Sequence, residues 1–490
     1  MMSLLGPLDK RLLVRRCKAC QRRKIKCSMP TPCTYCVRTC QPCEPASGAG
    51  AGREPRSKAV VFTLPQTGAK PIRKGGKTLD QHVLLSPTVY HVDLWPDSTD
   101  QHVSHFFDVF LAANDFSGTS WRSLPISLSE MIADSSALKD VAIALAALDC
   151  SRRPHSAPTA ERGVSLRQTA LSSYSRALQE VRVELSTPNQ LVARESTVWV
   201  TFFLGIFELM LESNEKNWEK HFLYGTSHLL QVQGPKCCGT GRGRERFLAL
   251  RIFEISRALI YQNTTFLAEP EWLELAQQLK EEDREGWYPK EAMYDLMLSC
   301  SVLCTRATYY ADAVEAASET LDTSDGFAVI TEGLYLRRCL SDWYHQIECR
   351  LPTARDPSTP LQTNMELLIA LIYYHALSIF LSGCFDYRLS CFPAPPASLP
   401  ILTRTQVERH LASILSLTEL ALNKTWLTGV AFLFPLRVAA ARAWSAADQN
   451  EVVQRLRSVR SKGFSITNLF EEEVNCLWEE GGMPDGWKWA

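Results

Sequence analysis

Two similar groups of three cysteines near the N-terminus constrain this 490-residue chain more than any other feature. Both groups have the spacing C-x2-C-x6-C, and five residues separate them. The six residues are Cys17, Cys20, Cys27, Cys33, Cys36 and Cys43. Zinc prefers four thiolate ligands in a tetrahedron, and a C-x2-C pair lets one tight turn supply two of them. One zinc would leave two cysteines over, whereas two zincs need eight ligand positions, which six cysteines fill only if two of them bridge both metals.

A basic run lies between the second and third cysteines. It consists of Arg22, Arg23, Lys24 and Lys26, interrupted by Ile25. Four cations within five residues, beside a core fixed by metal, form a surface suited to DNA phosphates, and side chains directed into a groove can also read base edges. Together with Arg15 and Arg16 the run is also typical of a nuclear import signal, and the two uses are compatible.

The stretches CKACQRRKIKC and PCTYCVRTCQPC, which span about 27 residues, closely resemble the DNA-binding domain of the fungal binuclear zinc cluster transcription factors. The resemblance implies a small domain of two short helices around two structural Zn²⁺ ions. It implies that Cys17 and Cys33 bridge both metals. Cys20 and Cys27 would complete one zinc site, and Cys36 with Cys43 the other.

The resemblance also suggests roles for the basic side chains. Lys24 matches the lysine that reads the G-rich edge of a CGG triplet in the major groove of double-stranded DNA, and Arg23 is a second candidate base contact. The remaining basic residues are expected to hold the DNA backbone; these are Lys18, Arg22, Lys26 and Arg38.

Three features depart from the family pattern. Cys40 lies inside the last interval and competes with Cys43 as a ligand, although Cys43 keeps the family spacing and is preferred. Gln21 stands where a basic residue is common, which weakens one expected phosphate contact. Residues 44–100 contain no run of apolar a and d heptad positions, so no dimerising coiled coil is predicted there, and whether the protein is a homodimer stays open.

Charge is distributed unevenly along a chain whose formal net charge is zero. Residues 1–80 contain 17 basic and 4 acidic residues, a balance of +13, so the other 410 residues contain 36 basic and 49 acidic residues, a balance of −13. Lysine and arginine gain free energy when they displace counterions condensed on phosphates. This balance predicts an N-terminal region that meets a polyanion and a body that does not bind nucleic acid unaided.

The sequence predicts four regions. Residues 1–16 form a basic arm, residues 17–43 the zinc cluster, residues 44–100 a flexible linker rich in Pro, Gly, Ser and Lys, and residues 101–490 a large all-α domain of roughly a dozen helices. The longest apolar run, Leu367 to Phe385, is interpreted as a buried core helix rather than a membrane span, and no signal peptide is expected.

The body also resembles the helical regulatory domain that follows the cluster in this family. The resemblance is carried by NWEKHFLYGTSHLLQVQGP, by FLAEPEW at 266–272 and by AFLFPLRVAAARAW at 431–444. It implies roles in sensing a small-molecule effector, contacting coactivators or corepressors, and controlling activation. The acidic and aromatic C-terminus, FEEEVNCLWEEGGMPDGWKWA, is either an activation segment or the last helix of the domain followed by a tail.

Several weaker signals have simpler explanations. The glycines of CCGTGRGRERF lack the Lys-Ser/Thr of a nucleotide-binding loop and are expected in an interhelical loop. His102, His105 and Asp108 share one helical turn and form either half of a metal site or a polar helix surface. The cysteines scattered after residue 100 are expected to be small buried hydrophobic residues rather than redox sensors.

These observations favour a nuclear, zinc-dependent, sequence-specific regulator of RNA polymerase II transcription that reads CGG-like triplets. Its expected targets form a pathway-specific fungal gene set, such as a secondary-metabolite cluster. The alternative is a corepressor or adaptor whose zinc-stabilised domain binds DNA only non-specifically. An enzyme is not expected, because thiolates fill every zinc position and the sequence contains no catalytic constellation.

Overall fold

The computed structural model describes residues 99–116, 124–152, 160–186, 195–211, 225–316, 323–348 and 364–479. Within these ranges the fold is built from sixteen α-helices. The first eight are α1 (Thr99–His105, continued by a π-helical stretch, Phe106–Leu111), α2 (Leu124–Asp134), α3 (Ser136–Arg152), α4 (Ala160–Leu185), α5 (Glu195–Met210), α6 (Ser227–Gln233), α7 (Gly241–Tyr261) and α8 (Pro270–Glu282). The other eight are α9 (Arg284–Trp287), α10 (Lys290–Ala316), α11 (Ser324–Glu348), α12 (Met365–Asp386), α13 (Arg404–Lys424), α14 (Leu433–Ala440), α15 (Ala446–Ser461) and α16 (Thr467–Glu479).

The predicted all-α body is therefore observed in the described residues from Thr99 onward, with sixteen helices where roughly a dozen were expected. Local sequence signals fix several helix ends. At the start of α13, Thr403 and Gln406 form a reciprocal capping box, which satisfies backbone N–H groups that have no partner within the helix. Helix α6 ends before Gly234, whose φ of 75° is a conformation that favours glycine, and Pro235 follows.

The core is formed by helices that are apolar on nearly all sides. Helix α3 packs against α4 and α5, and α12 packs against α10 and α13. An aromatic cluster joins α1 to α5: the ring of Phe106 meets that of Phe203 edge to face at 5.3 Å, and Trp199 stacks on Phe203 at 5.9 Å. Such contacts add to the burial of apolar surface as a stabilising contribution.

Residues far apart in sequence tie the beginning of the domain to its end. The backbone N–H of Asp115 donates to the carbonyl of Trp426 at 2.8 Å, and the N–H of Thr428 donates to the Asp115 carbonyl at 2.9 Å. Arg152 donates to the carbonyl of Gly463 at 2.6 Å. In the described ranges, the pairing of Asp115 with Leu427 is one isolated parallel β-bridge, and no strand is present.

The longest apolar run is a core helix, as predicted. Among the described helices, α12 is the one long and apolar enough to cross a membrane by length and composition. Its apolar side chains are packed inside the domain, however, and Leu368, Ile372 and Phe380 are at most 1% exposed. The absence of a polar face on α12 thus reflects a position between other helices.

Candidate functional site

The residues predicted to bind zinc or to contact DNA lie outside the described residues. These residues are Cys17, Cys20, Cys27, Cys33, Cys36, Cys43 and the alternative Cys40, together with Lys18, Arg22, Arg23, Lys24, Lys26 and Arg38. From Thr99 onward, within the ranges described, no group of three or more His, Cys, Asp or Glu side chains is arranged to hold a metal ion.

The weaker predictions for histidines and glycines are partly corrected. His102 is buried rather than on a polar surface, and His105 pairs at 2.8 Å with Asp149 of α3. The glycines of CCGTGRGRERF were predicted in a loop, but Gly243 lies in the first turn of α7. A Cβ atom there would come 1.8 Å from the carbonyl oxygen of Cys237, so this helix start packs against Cys237 only because residue 243 is glycine.

None of the scattered cysteines that the structure describes is part of a disulfide. Five of the nine are buried, as predicted, namely Cys150, Cys238, Cys300, Cys304 and Cys391. The prediction is wrong for the other four, since Cys237 and Cys476 are exposed and Cys339 and Cys384 are half-buried. Burial raises the pKa of the Cys300 and Cys304 thiols well above its usual range, which keeps both protonated. Since the thiolate is the reactive form, this supports the interpretation of these two cysteines as inert.

The first half of the acidic C-terminal segment packs on the domain as α16. Phe470 is 5% and Leu477 is 4% exposed, and the indole N–H of Trp478 donates to the Ala440 carbonyl at 3.0 Å. These side chains are therefore engaged in the fold. The activation hypothesis now concerns residues 480–490, which lie outside the described ranges.

A cavity with a volume of about 750 Å³ lies between α6, α7 and α10. Its floor contains a buried ion pair: Arg257 donates to both carboxylate oxygens of Glu254, at 2.9 and 2.7 Å. The Ser227 hydroxyl donates to the same carboxylate. Volumes of several hundred cubic ångströms are typical of small-molecule sites in proteins.

The loop after α7 forms one rim of this cavity. Arg257 donates to the carbonyl of Thr264 at 2.9 Å, and the hydroxyl of Thr308 on α10 donates to the side-chain carbonyl of Gln262 at 3.2 Å. Gln262 has a φ of 48°, a conformation uncommon for a residue with a side chain. Side chains of α7 and α10 thus hold the first three residues of the loop.

A second polar cluster is buried between α7, α10 and α12. Arg251 lies 2.6 Å from Asp295 and 3.4 Å from Glu291, while Lys290 lies 3.2 Å from both Glu291 and Glu366. Burial alone would lower the pKa of Arg251 and of Lys290, but the neighbouring carboxylates more than reverse this and raise both pKa values. Both side chains therefore stay charged within the core.

Two histidines meet between α12 and α13. The Nδ1 atoms of His375 and His410 are 2.8 Å apart, so one neutral ring donates and the other accepts. Burial, with a smaller contribution from His410, lowers the pKa of His375 to about 3. Burial, with a smaller contribution from Arg337, lowers that of His410 to about 4. Both rings are therefore uncharged at neutral pH.

This pair predicts a loss of stability in mild acid. An unfolded histidine takes up a proton near pH 6.5, whereas these folded rings do not, so the free energy of unfolding is highest above pH 6.5 and falls as the pH decreases toward 4. Between pH 7.5 and 5.5, the free energy of unfolding in urea should fall by about 1 kcal/mol less in the His410→Gln chain than in the wild type. The exposed His345 offers a matched control. If His345→Gln reduced the pH dependence of the free energy of unfolding as much as His410→Gln does, this explanation would be contradicted.

Comparison with known proteins identifies the body of the chain. The profile of the fungal specific transcription factor domain matches residues 101–484. The uncharacterized protein AN5342 of Emericella nidulans is 30% identical over 123 residues, which are 25% of this chain and 26% of that protein. The match thus spans about a quarter of that relative's length, and no solved structure matches the chain significantly. The family match covers well over half of the sequence, so the chain belongs to the family of fungal specific transcription factor domain proteins, which are transcription regulators.

Proposed function

We propose that the protein is a zinc-dependent, sequence-specific DNA-binding regulator of RNA polymerase II transcription that acts in the nucleus. The observation that carries the proposal is the family match over residues 101–484, preceded by six cysteines in the spacing C-x2-C-x6-C, given twice, with a basic run inside the first half. A regulatory domain of this family must be brought to promoters. The formal net charge of +13 within residues 1–80 favours contact with DNA.

In this proposal two zinc ions bind residues 17–43 and stabilise their fold. Cys17 and Cys33 bridge, Cys20 and Cys27 complete one site, and Cys36 and Cys43 complete the other. With every position filled by thiolate, neither zinc has an open position for a water molecule, so the metals are structural and take no part in catalysis.

The basic side chains are proposed to contact two different parts of the DNA, the base edges and the phosphates. Lys24, with Arg23, reads the edge of a CGG-like triplet in the major groove, since lysine and arginine are the residues that bond the O6 and N7 acceptors of guanine. Lys18, Arg22, Lys26 and Arg38 hold phosphates, which fix the orientation of the domain without carrying sequence information. Because these contacts release counterions, affinity should fall steeply as salt increases.

The proposal extends to partners of the helical body. We expect coactivators or corepressors and a small-molecule effector to act there, and the target genes to form one pathway, such as a secondary-metabolite cluster. The linker at residues 44–100 contains no heptad run, so the number of half-sites in the selected DNA would show whether the protein binds as a monomer or as a homodimer.

Selection of binding sites from random duplex DNA tests the proposal with the full-length, zinc-loaded chain. Wild-type protein should enrich a CGG-type triplet, and Lys24→Ala should lose this preference while keeping general affinity for DNA. Lys10→Ala removes a lysine of the basic arm outside the cluster and is the matched control, which should still select the triplet. A Lys24→Ala chain that selects the same triplet would contradict the role of Lys24.

The adaptor alternative makes a different prediction for the same experiment. A zinc-stabilised domain that binds DNA only non-specifically would carry two zinc ions and still enrich no sequence. In that outcome, the basic run would serve phosphate contact and nuclear import alone.

A further inference from the structure

We propose that the cavity between α6, α7 and α10 binds a neutral, hydroxyl-bearing small molecule with a flat aromatic or apolar ring. This gives a location and a chemical class to the effector of the helical body. Its consequence for transcription rests on the function proposed above, whereas the binding itself does not. The cavity is open to solvent on one side, and its volume of about 750 Å³ is within the range typical of small-molecule sites.

The walls of the cavity are fixed before any ligand arrives. The bidentate pair of Arg257 with Glu254 is buried on both sides, with 8% and 3% of the side chains exposed. The same arginine holds the Thr264 carbonyl, and Gln262 is held from α10 by Thr308. A site whose walls need no reordering loses less conformational entropy on binding, which favours affinity for a small ligand.

Charge in the cavity is already balanced, which argues against an ionic ligand. Glu254 is neutralised by Arg257, and Arg306 forms an ion pair with Glu332 of α11. Glu269 lies on the exposed rim, where solvent screens it. An anion would meet the carboxylate of Glu254, and both arginines of the lining, Arg257 and Arg306, are already paired with carboxylates. A cation would find the buried carboxylate already occupied. The cavity therefore discriminates in favour of a neutral molecule.

Hydrogen-bonding groups on α10 define what the ligand must offer. The hydroxyl of Thr305 donates to the Ser301 carbonyl at 2.9 Å, and the hydroxyl of Ser301 donates to the Leu298 carbonyl at 2.7 Å. Each hydroxyl has used its one hydrogen and keeps oxygen lone pairs that can only accept. Both residues line the cavity. A ligand that forms hydrogen bonds to these two hydroxyl oxygens must donate a hydrogen, as a hydroxyl group does.

Two aromatic residues, with Val302 and Ala268, supply the apolar part of the lining. Phe266 forms part of the wall beside the loop, and Tyr309, one turn after Thr305 on α10, is 67% exposed. A ring that leaves water to pack on an aromatic face gains from the burial of apolar surface and from the ring contact. Together with the acceptors of Thr305 and Ser301, this combination selects a hydroxylated ring over an aliphatic chain or a simple sugar.

Three probes of nearly equal size separate the chemical classes: benzyl alcohol, benzoate and benzylammonium. Saturation-transfer difference NMR with the full-length chain, in the absence of DNA, should give a clear signal for benzyl alcohol and at least about fivefold weaker signals for the two ions. Thr305→Val removes the acceptor without changing the volume, and should weaken the benzyl alcohol signal about fivefold, the effect of one hydrogen bond. Tyr309→Ala removes the ring face and should weaken the signal by a similar factor.

The chain provides matched controls for both variants. Thr331 on α11 donates to the Phe327 carbonyl at 2.8 Å, as Thr305 does to its own helix, but it is exposed and outside the cavity. Tyr335 is 65% exposed, close to the value for Tyr309. Thr331→Val and Tyr335→Ala should leave the signal unchanged. Equal signals for benzoate and benzyl alcohol, or unchanged binding in both cavity variants, would overturn the proposal.

The cavity proposal and the proposed DNA-binding function can be tested separately, because they concern different parts of the chain. A Cys17→Ser chain should still bind benzyl alcohol, because the cavity lies in the helical body. A wild-type chain that binds the probe but selects no DNA site would therefore contradict the DNA-binding function alone. A wild-type chain that selects a DNA site but does not bind the probe would contradict the cavity proposal alone.

Discussion

Replacing Cys17 or Cys33 by Ser is expected to leave fewer than two zinc ions per chain and to abolish selective DNA binding. Each of these cysteines is proposed to ligate both metals, so one substitution removes a ligand from both sites. In so small a metal-binding unit, zinc binding supplies the folding free energy, of the order of 10 kcal/mol. Elemental analysis of zinc per full-length chain, with a DNA-binding measurement on the same sample, provides the test.

The additional cysteine supplies a control within the same segment. Cys40→Ser should retain two zinc ions and wild-type DNA affinity, whereas Cys43→Ser should lose zinc, because the family spacing assigns Cys43 as the ligand. The far-UV circular dichroism of the helical body should be almost unchanged in all four variants. Two zinc ions retained by Cys17→Ser or Cys33→Ser would contradict the bridging assignment, and zinc loss in Cys40→Ser alone would assign Cys40 as the ligand.

The helical body could be predicted from the sequence because its signals are local and periodic. The run from Leu367 to Phe385 has no polar face, and a helix of that kind must be surrounded by others, as α12 is. The end of α6 at Gly234 and Pro235 follows from the backbone preferences of these two residues alone. In both places the sequence signal that permits the prediction lies within one short stretch of the chain.

Polar partners that come from distant segments could not be predicted in the same way. His105 meets Asp149 across 44 residues, a pairing that depends on how α1 packs against α3. From the sequence alone, His105 groups with Asp108, which follows it in the π-helical continuation of α1. The cavity likewise combines Ser227, Glu254 and Thr305 from three helices, and nothing in the spacing of these residues brings them together. Only the detailed packing of the helices does so.

Arginines in amphipathic helices are another case in which sequence alone misleads. Arg251 stands in FLALRIFEISRALIY, where a basic residue among apolar ones is usually at the surface. In the structure it is 2% exposed, and its guanidinium lies over the ring of Trp287 at 5.2 Å and near that of Phe247 at 5.7 Å. Its charge is compatible with this position only because Asp295 and Glu291 surround it.

Arg251→Met is therefore expected to destabilise the helical body by about 3–5 kcal/mol, the range found when one partner of a buried ion pair is removed. Methionine fills much of the volume between the two rings, but it leaves Glu291 buried with Lys290 as its remaining cation and deprives Asp295 of its arginine. Urea unfolding followed by circular dichroism measures the change. A loss of this size would be a large part of the stability of a typical domain.

Two further variants separate the charge from the fit of the side chain. Arg251→Lys keeps the charge but loses the planar guanidinium that bonds Asp295 and stacks on Trp287, so it should recover only part of the lost stability. Arg338→Met removes an arginine whose ion pair with Asp342 is long, at 3.9 Å, and exposed on both sides. That control should change the free energy of unfolding by less than about 0.5 kcal/mol. If Arg251→Met were as mild as Arg338→Met, water would have to reach the cluster in the folded protein, and the buried charges would not hold α7 to α10.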